Sequence, residues 1–168
     1  MDFRGIDGEF FLELSEFFYS LGFFGELILI VFASVALRNR ISDLIVYYIG
    51  IGISALINRS AKPLFKDARP LHPIKFLASE HFVKNSNAYG LPSGHSQSVF
   101  FSITYLYLTL GQFYPWALVG LVVGLATFIE RYAYHNHTLS QLVIGAGLGA
   151  TLAYGTVYVR DHVVSLHF

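Results

Sequence analysis

The composition of this 168-residue chain is that of a membrane protein, because 54% of its residues are hydrophobic, only 13% are charged and the mean hydropathy is +0.54. Eleven basic residues balance eleven acidic ones, so the chain lacks the concentrated basic excess that a nucleic-acid partner requires. The absence of cysteine excludes disulfides, thiolate chemistry and cysteine metal sites. The length predicts a single domain, residues 1–168.

The N-terminal segment from Ile6 to Phe18 mixes large apolar residues with acids and predicts an amphipathic helix in the membrane interface, which Asp7 could cap. Its apolar side would carry Phe10, Phe11, Leu14, Phe17 and Phe18. The alternative is a frayed extension of the first membrane span. Acidic residues stand where a cleaved signal sequence would be basic, so we do not expect such a signal.

Five apolar runs follow, and each predicts a membrane-spanning helix. They are Phe17–Leu37, Ile41–Ile57, Ser96–Phe113, Pro115–Ile129 and Leu142–Val159. About 20 helical residues cross a hydrocarbon core of about 30 Å, so the fourth run needs extra length from its flanks. The predicted fold class is all-α, a polytopic membrane helical bundle of about five transmembrane helices behind the interfacial helix.

Glycines in the last two runs predict close approach between helix backbones. These residues are Gly120, Gly124, Gly145, Gly147 and Gly149.

Three polar clusters lie at the ends of the apolar runs, at residues 62–70, 90–98 and 130–141. The first follows span two, the second opens span three and the third joins spans four and five. Because successive spans run in opposite directions, all three clusters are expected on one face of the membrane. The loop Leu71–Leu91 is expected to cover the same face. The sequence therefore predicts one site built from all three clusters.

The first two clusters supply positive charge and hydrogen-bond donors. Lys62, Lys66 and Arg69 lie where a helix leaves the membrane, and by themselves they would indicate binding of lipid head groups. Ser93 and Gly94 open a helix, whose free N–H groups and dipole attract anions. Both clusters thus favour a negatively charged ligand.

Two histidines add imidazole groups that can transfer protons or act as nucleophiles. His95 opens span three, and His137 follows Arg131 at the membrane edge. Cations, helix N-terminal donors and two histidines on one face suit phosphoryl transfer, where catalysis is mostly positioning and stabilisation of spread negative charge. One imidazole could attack phosphorus and the other could protonate the departing oxygen.

The order and spacing of these residues resemble a known three-part signature. The parts are Lys62 with Arg69-Pro70 after six residues, then Pro92-Ser93-Gly94-His95, then Arg131 with His137 after five residues. This pattern resembles that of the type-2 phosphatidic acid phosphatase and vanadium haloperoxidase superfamily, in its membrane lipid phosphatase branch.

The resemblance implies a role for each of these residues. Lys62, Arg69 and Arg131 would hold the phosphate, assisted by Ser93 and the Gly94 amide. His95 would act as general acid. His137 would attack phosphorus and form a phosphohistidine. The resemblance implies no metal and no other cofactor.

The chain departs from the family pattern at two positions. Most members carry an aspartate four residues after the nucleophile, where this chain has Gln141, so His137 should be a weaker base. Glu130 replaces the usual serine before Arg131 and could either pair with that arginine or compete with phosphate for it. His95-Ser-Gln97 and His137-Thr-Leu-Ser-Gln141 are similar to the dolichyl-diphosphatase-like members.

We therefore expect an integral membrane lipid phosphatase that acts without a metal, with the lipid bilayer as its surroundings and polyprenyl diphosphate as the favoured substrate. Phosphatidic acid, phosphatidylglycerophosphate and lipid A phosphates stay open. The alternatives are a lipid-to-lipid phosphotransferase and a catalytically silent lipid-phosphate-binding protein. A metal site of His135 with the other two histidines is disfavoured, because alternate residues do not converge on a helix. The resemblance implies a site on the extracytoplasmic or lumenal face.

Overall fold

The computed structural model describes residues 3–71, 74, 89–111 and 114–163. Six α-helices lie within these ranges: α1 Phe3–Phe23, α2 Gly25–Ala36, α3 Ile41–Phe65, α4 Gly94–Leu110, α5 Tyr114–Ala133 and α6 Leu139–Val163. Of the features predicted above, the side chains of Asp7, Phe10 and Phe11, all of Phe113 and most of the Leu71–Leu91 loop lie outside the described residues.

Within the described ranges, three helices are long and apolar enough to cross a membrane: α3, α5 from Trp116 onward, and α6 as far as His162. The end of α1 and α2 give a fourth span if the pair is counted together. Helix α4, the remaining predicted span, has 17 residues and packs against α2, α3, α5 and α6. Because α4 is enclosed by its neighbours, it can carry polar side chains at membrane depth. The prediction of an all-helical membrane bundle is confirmed.

The prediction of one continuous helix from Phe17 to Leu37 is wrong. The chain bends by 66° between Glu13–Phe23 and Gly25–Ala36. Both segments press against α5 at the bend, where the hydroxyl of Thr127 donates to the carbonyl of Gly22 at 3.2 Å. A Cβ on Gly22 would meet the Ala126 carbonyl, and one on Gly25 would meet the Thr127 hydroxyl. The two glycines therefore let the broken span lie directly on α5.

Among the described helices, α4 and α6 make the most extensive contact. A Cβ added at Gly145 would lie 2.5 Å from the carbonyl oxygen of Ser93, and one at Gly149 would collide with the backbone of Gln97. These glycines serve the close approach that the sequence predicts. Gly147 does not, since a Cβ there would meet nothing within 4 Å.

A polar clamp joins three helices at the membrane face opposite the polar clusters. Arg160 Nη1 on α6 lies 3.2 Å from Asp43 Oδ1 on α3 and donates to Thr109 Oγ1 on α4 at 2.8 Å. The hydroxyl of Tyr105 donates to the backbone carbonyl of Asp43 at 2.7 Å. The clamp fixes these helices at the end where no candidate site residue lies.

The α4–α6 contact predicts that Gly149→Ala destabilises the protein and that Gly147→Ala does not. The new methyl group at position 149 meets a backbone carbonyl that cannot move aside, at an expected cost of about 1–3 kcal/mol. At position 147 the methyl enters open space, and alanine is the better helix former by about 1 kcal/mol. Thermal unfolding in one detergent, followed by the fluorescence of the single tryptophan, measures both variants. Equal midpoints for the two variants would contradict the packing.

Candidate active site

The first polar cluster begins on the last turn of α3. Lys62 is buried at the side facing the bundle, and the helix ends where Lys66 adopts a left-handed conformation with φ of 51°. The amide of Lys66 donates to the carbonyl of Lys62 at 3.1 Å and closes that turn. The chain then reverses, and Arg69 donates from Nη1 to the carbonyl of Asn136 at 3.2 Å. The αL residue thus directs Arg69 towards the loop that carries His137.

The second cluster forms the N-terminus of α4. Ser93 is buried and caps the helix, accepting at Oγ from the amide of Ser96 at 3.5 Å. The Ser93 amide in turn donates to the carbonyl of Gln141 at 3.1 Å. Gly94 and His95 follow as the first helical residues, at the positions whose amides have no partner inside the helix. The loop before α4 is therefore fixed to α6 by backbone contacts.

Asn58 holds the same loop from the α3 side, one turn before Lys62. Its Nδ2 donates to the carbonyl of Pro92 at 3.2 Å and to Oε1 of Gln97 at 2.7 Å. Gln97 Nε2 donates to the carbonyl and to the hydroxyl of Ser54, both at 2.8 Å. This buried network joins α3 to α4 directly beneath the candidate site.

The third cluster depends on how α5 ends. His135 adopts a left-handed conformation with φ of 54°. Its amide donates to the carbonyl of Tyr132 at 3.0 Å, and the amide of Asn136 donates to the carbonyl of Arg131 at 3.0 Å. These two bonds form a Schellman motif. The amide of His137 also reaches the carbonyl of Arg131, at 3.2 Å. The five residues between Arg131 and His137 are thus the number that this helix ending needs. The ending brings His137 back beside Arg131, on the last turn of α5.

Helix α6 begins with a capping box. The amide of Gln141 donates to Thr138 Oγ1 at 3.3 Å, and the amide of Thr138 donates to Gln141 Oε1 at 3.2 Å. The same Oε1 lies 3.1 Å from Nδ1 of His137. Gln141, which is fully buried, therefore caps the helix and holds the imidazole at once.

The structure brings the sequence-predicted residues of all three clusters together. His95 lies within electrostatic range of His137, Arg131, Arg69 and Lys62. Lys62, Ser93, Arg131 and His137 are buried, and Arg69, Gly94 and His95 are partly buried. Such a concentration of charge at a membrane edge is costly, and in membrane proteins it marks function.

The electrostatics of the site are those of a positively charged pocket. Burial lowers the pKa of the Arg69 guanidinium, and the positive charge of Arg131 lowers it further. Burial, reinforced by the charge of Arg69, lowers the pKa of His137 to about 3, while the hydrogen bond to Gln141 acts in the opposite direction. His137 is therefore a neutral imidazole near pH 7.

Arg131 has two neighbours that the family signature does not include. Its Nε lies 2.7 Å from Oε2 of Glu130, so the two adjacent residues form a buried ion pair. Its guanidinium carbon lies 5.1 Å from the ring centre of Phe23, at the end of α1, in a cation–π contact. The bend of the first span thus contributes to the position of Arg131.

Several residues of the site are missed by sequence reasoning, namely Phe23, Ser54, Asn58, Asp67 and, as a support for α4, Gln97. A signal existed for two of them, because Ser54, Asn58 and Lys62 recur at intervals of four residues and thus share one face of α3. No local sequence pattern indicates that Asp67 or Phe23 belongs to the site. No group of three or more His, Cys, Asp or Glu side chains suited to a metal ion occurs in the described part of the chain.

Comparison with known proteins bears on the family and the fold. The model of the PAP2 superfamily matches residues 43–164, well over half of the chain. Among solved structures, the chain is similar to the crystal structure of a transmembrane PAP2-type phosphatidylglycerolphosphate phosphatase from Bacillus subtilis, with a TM-score of 0.68 and 19% identity. The match covers 89% of this chain and 78% of that one, and it concerns the fold. No curated protein matches the sequence. The predicted family is confirmed, and this integral membrane protein belongs to the PAP2 superfamily.

Proposed function

We propose that this protein hydrolyses a lipid phosphate or diphosphate through a phosphohistidine on His137, without a metal ion. The observation that carries the proposal is the meeting of Lys62, Arg69 and Arg131 with two histidines at one end of the bundle. Buried cations from three separate segments repel one another, and a phosphate dianion would relieve that repulsion. The helix N-terminus at Ser93 and Gly94 adds backbone donors for the same anion.

The chemical steps follow from the two imidazoles. The lone pair of His137 Nε2 attacks phosphorus, the bond from phosphorus to the leaving oxygen breaks, and its electron pair stays on that oxygen. His95 enters this step as an imidazolium, which the charge of the bound phosphate stabilises, and it donates the proton that the leaving oxygen takes up. Water then attacks the phosphohistidine while His95 takes its proton, which releases phosphate and returns both imidazoles to their starting states.

The protonation state of His137 suits a nucleophile. An imidazole with a pKa of about 3 keeps its lone pair at neutral pH, although the three cations also make it a weak base. A bound phosphate offsets their charge and raises the basicity of the imidazole when the substrate is in place. The phosphate group of the substrate thus makes His137 a better nucleophile.

Polyprenyl diphosphate is the substrate we favour. The support is sequence likeness, since the residues that follow His95 and His137 are similar to those of dolichyl-diphosphatase-like members. The similar solved structure is that of a phosphatidylglycerolphosphate phosphatase, so phosphatidylglycerophosphate and phosphatidic acid belong in the same screen. Family resemblance further suggests an extracytoplasmic or lumenal site.

A silent phosphate-binding protein is the second candidate, and the neutral side chain of Gln141 favours it. A phosphotransferase that passes the phosphoryl group to another lipid is a variant of the first proposal, because it would use the same phosphohistidine. Phosphate release in the presence of a chelator separates hydrolase from binder. A labelled acceptor lipid separates hydrolysis from transfer.

We expect His137→Ala to abolish release of phosphate from polyprenyl diphosphate while the protein stays folded, because the attacking nitrogen is lost. Rapid quenching with phosphorus-labelled substrate should trap a phosphoenzyme in the wild type and not in the variant. The matched control is His162→Ala, a histidine exposed at the far end of α6, which should keep full activity. A fully active His137→Ala protein would end the nucleophile assignment, and a wild type that releases phosphate from none of the lipids would favour the silent binder.

The shifted pKa gives a separate prediction. His137 should stay neutral as the pH falls from 6.5 to about 5, because its pKa is about 3 in the folded protein. An unfolded histidine takes up a proton in this range, so acidification towards pH 3 should also destabilise the fold. Adding inorganic phosphate should raise the pKa of His137, since the anion offsets the surrounding cations. Imidazole NMR, assigned by the signal lost in His137→Gln, measures this, and a midpoint near 6.5 without phosphate would contradict the site.

A further inference from the structure

The side-chain amide of Gln141 uses its full hydrogen-bonding capacity. Oε1 receives the amide of Thr138 at 3.2 Å and lies 3.1 Å from His137 Nδ1. Nε2 donates to Oδ2 of Asp67 at 2.7 Å and to the carbonyl of Ala68 at 2.8 Å. Turning the amide over would place its NH₂ group against the Thr138 donor and its oxygen against two acceptors. The neighbours therefore determine which end of the amide faces His137.

This orientation determines the tautomer of the histidine. The atom of Gln141 that faces His137 is an oxygen, which only accepts hydrogen bonds. Nδ1 of a neutral imidazole must then carry the proton and donate it, and the lone pair is left on Nε2. Attack on phosphorus requires a lone pair, so the amide presents His137 in its reactive form.

We propose that Asp67 is a positioning residue for His137 and acts through the amide of Gln141. The proposal rests on the proposed function, since it assigns His137 the attacking role. Asp67 is the charged member of the chain His137–Gln141–Asp67. In the family pattern the aspartate stands at the position that Gln141 occupies here. Asp67 holds the amide with the oxygen towards the ring, and its negative charge lies one amide beyond the imidazole.

The fold holds Asp67 in this place from two sides. The αL residue Lys66 ends α3 and turns the chain, so that Asp67 comes directly after the turn. The carbonyl of Asp67 accepts from the amide of Gly90 at 2.8 Å, and Ala68 pairs with Tyr89 in an isolated β-bridge. A Cβ on Gly90 would collide with the side-chain amide of Gln141. The absence of a side chain there leaves room for the amide between Gly90 and Asp67.

The charge of Asp67 matters most when the new bond forms. As Nε2 shares its electron pair with phosphorus, the ring becomes positive and its Nδ1–H becomes a stronger donor to Gln141. The carboxylate polarises the amide so that Oε1 is more negative, which stabilises that positive ring. Loss of Asp67 should therefore slow formation of the phosphoenzyme and leave substrate binding largely unchanged.

The test compares Asp67→Ala, which removes the acceptor, with Asp67→Asn, which keeps an acceptor and removes the charge. We expect Asp67→Ala to lower kcat about ten- to a hundredfold, the loss that is typical when the hydrogen-bond partner behind a metal-ligating histidine is removed, with KM changed less than about threefold. Asp67→Asn should fall between Asp67→Ala and the wild type. The matched control is Asp161→Asn, an exposed aspartate at the far end of α6, which should keep full activity.

A double-mutant cycle asks whether Asp67 acts through Gln141. In a Gln141→Ala background, adding Asp67→Ala should cost almost nothing further, because the link is already broken. Gln141→Glu should lose activity, because a carboxylate oxygen would face Asp67 Oδ2 and the Ala68 carbonyl, and adding Asp67→Asn should recover part of it. Fully additive losses, or a Gln141→Glu enzyme faster than the wild type, would overturn the proposal.

A readout that needs no activity keeps this proposal separate from the proposed function. Nitrogen-15 NMR of histidine-labelled protein in micelles at pH 7 should show His137 with its proton on Nδ1. Asp67→Ala should introduce the other tautomer, and Asp67→Asn covers the case in which the alanine variant does not fold. An unchanged tautomer together with unchanged kcat would overturn the role of Asp67. Failure of the wild type to release phosphate would overturn the proposed function, while the NMR result would still decide the contact.

Discussion

The close contact between the start of α4 and the start of α6 is the constraint on which the rest of the site depends. The Ser93 amide donates to the Gln141 carbonyl at 3.1 Å, and Gly145 leaves space for the Ser93 carbonyl. This contact joins the helix end that we propose to bind phosphate to the residue that holds His137. At Gly145 and Gly149 the backbones of the two helices approach directly, with no side chain between them. The geometry of the proposed phosphate site therefore depends on how these two helices pack.

The second constraint is electrostatic. Lys62, Arg69 and Arg131 are carried by α3, by the segment that follows α3 and by α5, and their charges act together on the buried ring of His137. Glu130 lies 2.7 Å from Arg131 and Phe23 lies over its guanidinium, so this cation is held by protein groups before any ligand arrives. The sequence left open whether Glu130 pairs with Arg131 or competes with phosphate for it. The structure contains the ion pair. Positive charge that is fixed in place in this way suits an anion, as the proposed function requires.

Gln141 combines two tasks that are usually separate. At the N3 position of the capping box it fixes the first turn of α6, and as a hydrogen-bond acceptor it holds the ring of His137. A neutral amide can do both because Asp67 and the Ala68 carbonyl receive its two N–H groups. Where the family pattern leads us to expect an aspartate, this chain has a glutamine, and the carboxylate of Asp67 lies one amide group beyond the imidazole.

The sequence by itself determined the fold class, the family and the meeting of the three polar clusters at one end of the bundle. Each of these depends on local pattern, namely apolar run length, alternation of direction and the spacing of residues around helix ends. The spacing of Arg131 and His137 is such a local property, since it equals one Schellman ending. The first span shows the limit of local pattern, because its apolar run is continuous while the helix breaks by 66°. That break depends on the fit of Gly22 and Gly25 against α5, a contact between residues about 100 positions apart.

The tertiary structure alone decided which polar residues support the site. Asp67 and Gln141 are separated by 74 positions, and Asn58 and Pro92 by 34. Gly147 and Gly149 look alike in the sequence, yet one faces open space and the other presses on α4. The physical reason is the same in each case. A hydrogen bond or a close backbone contact depends on positions accurate to a fraction of an ångström, and those positions exist only once the helices have packed.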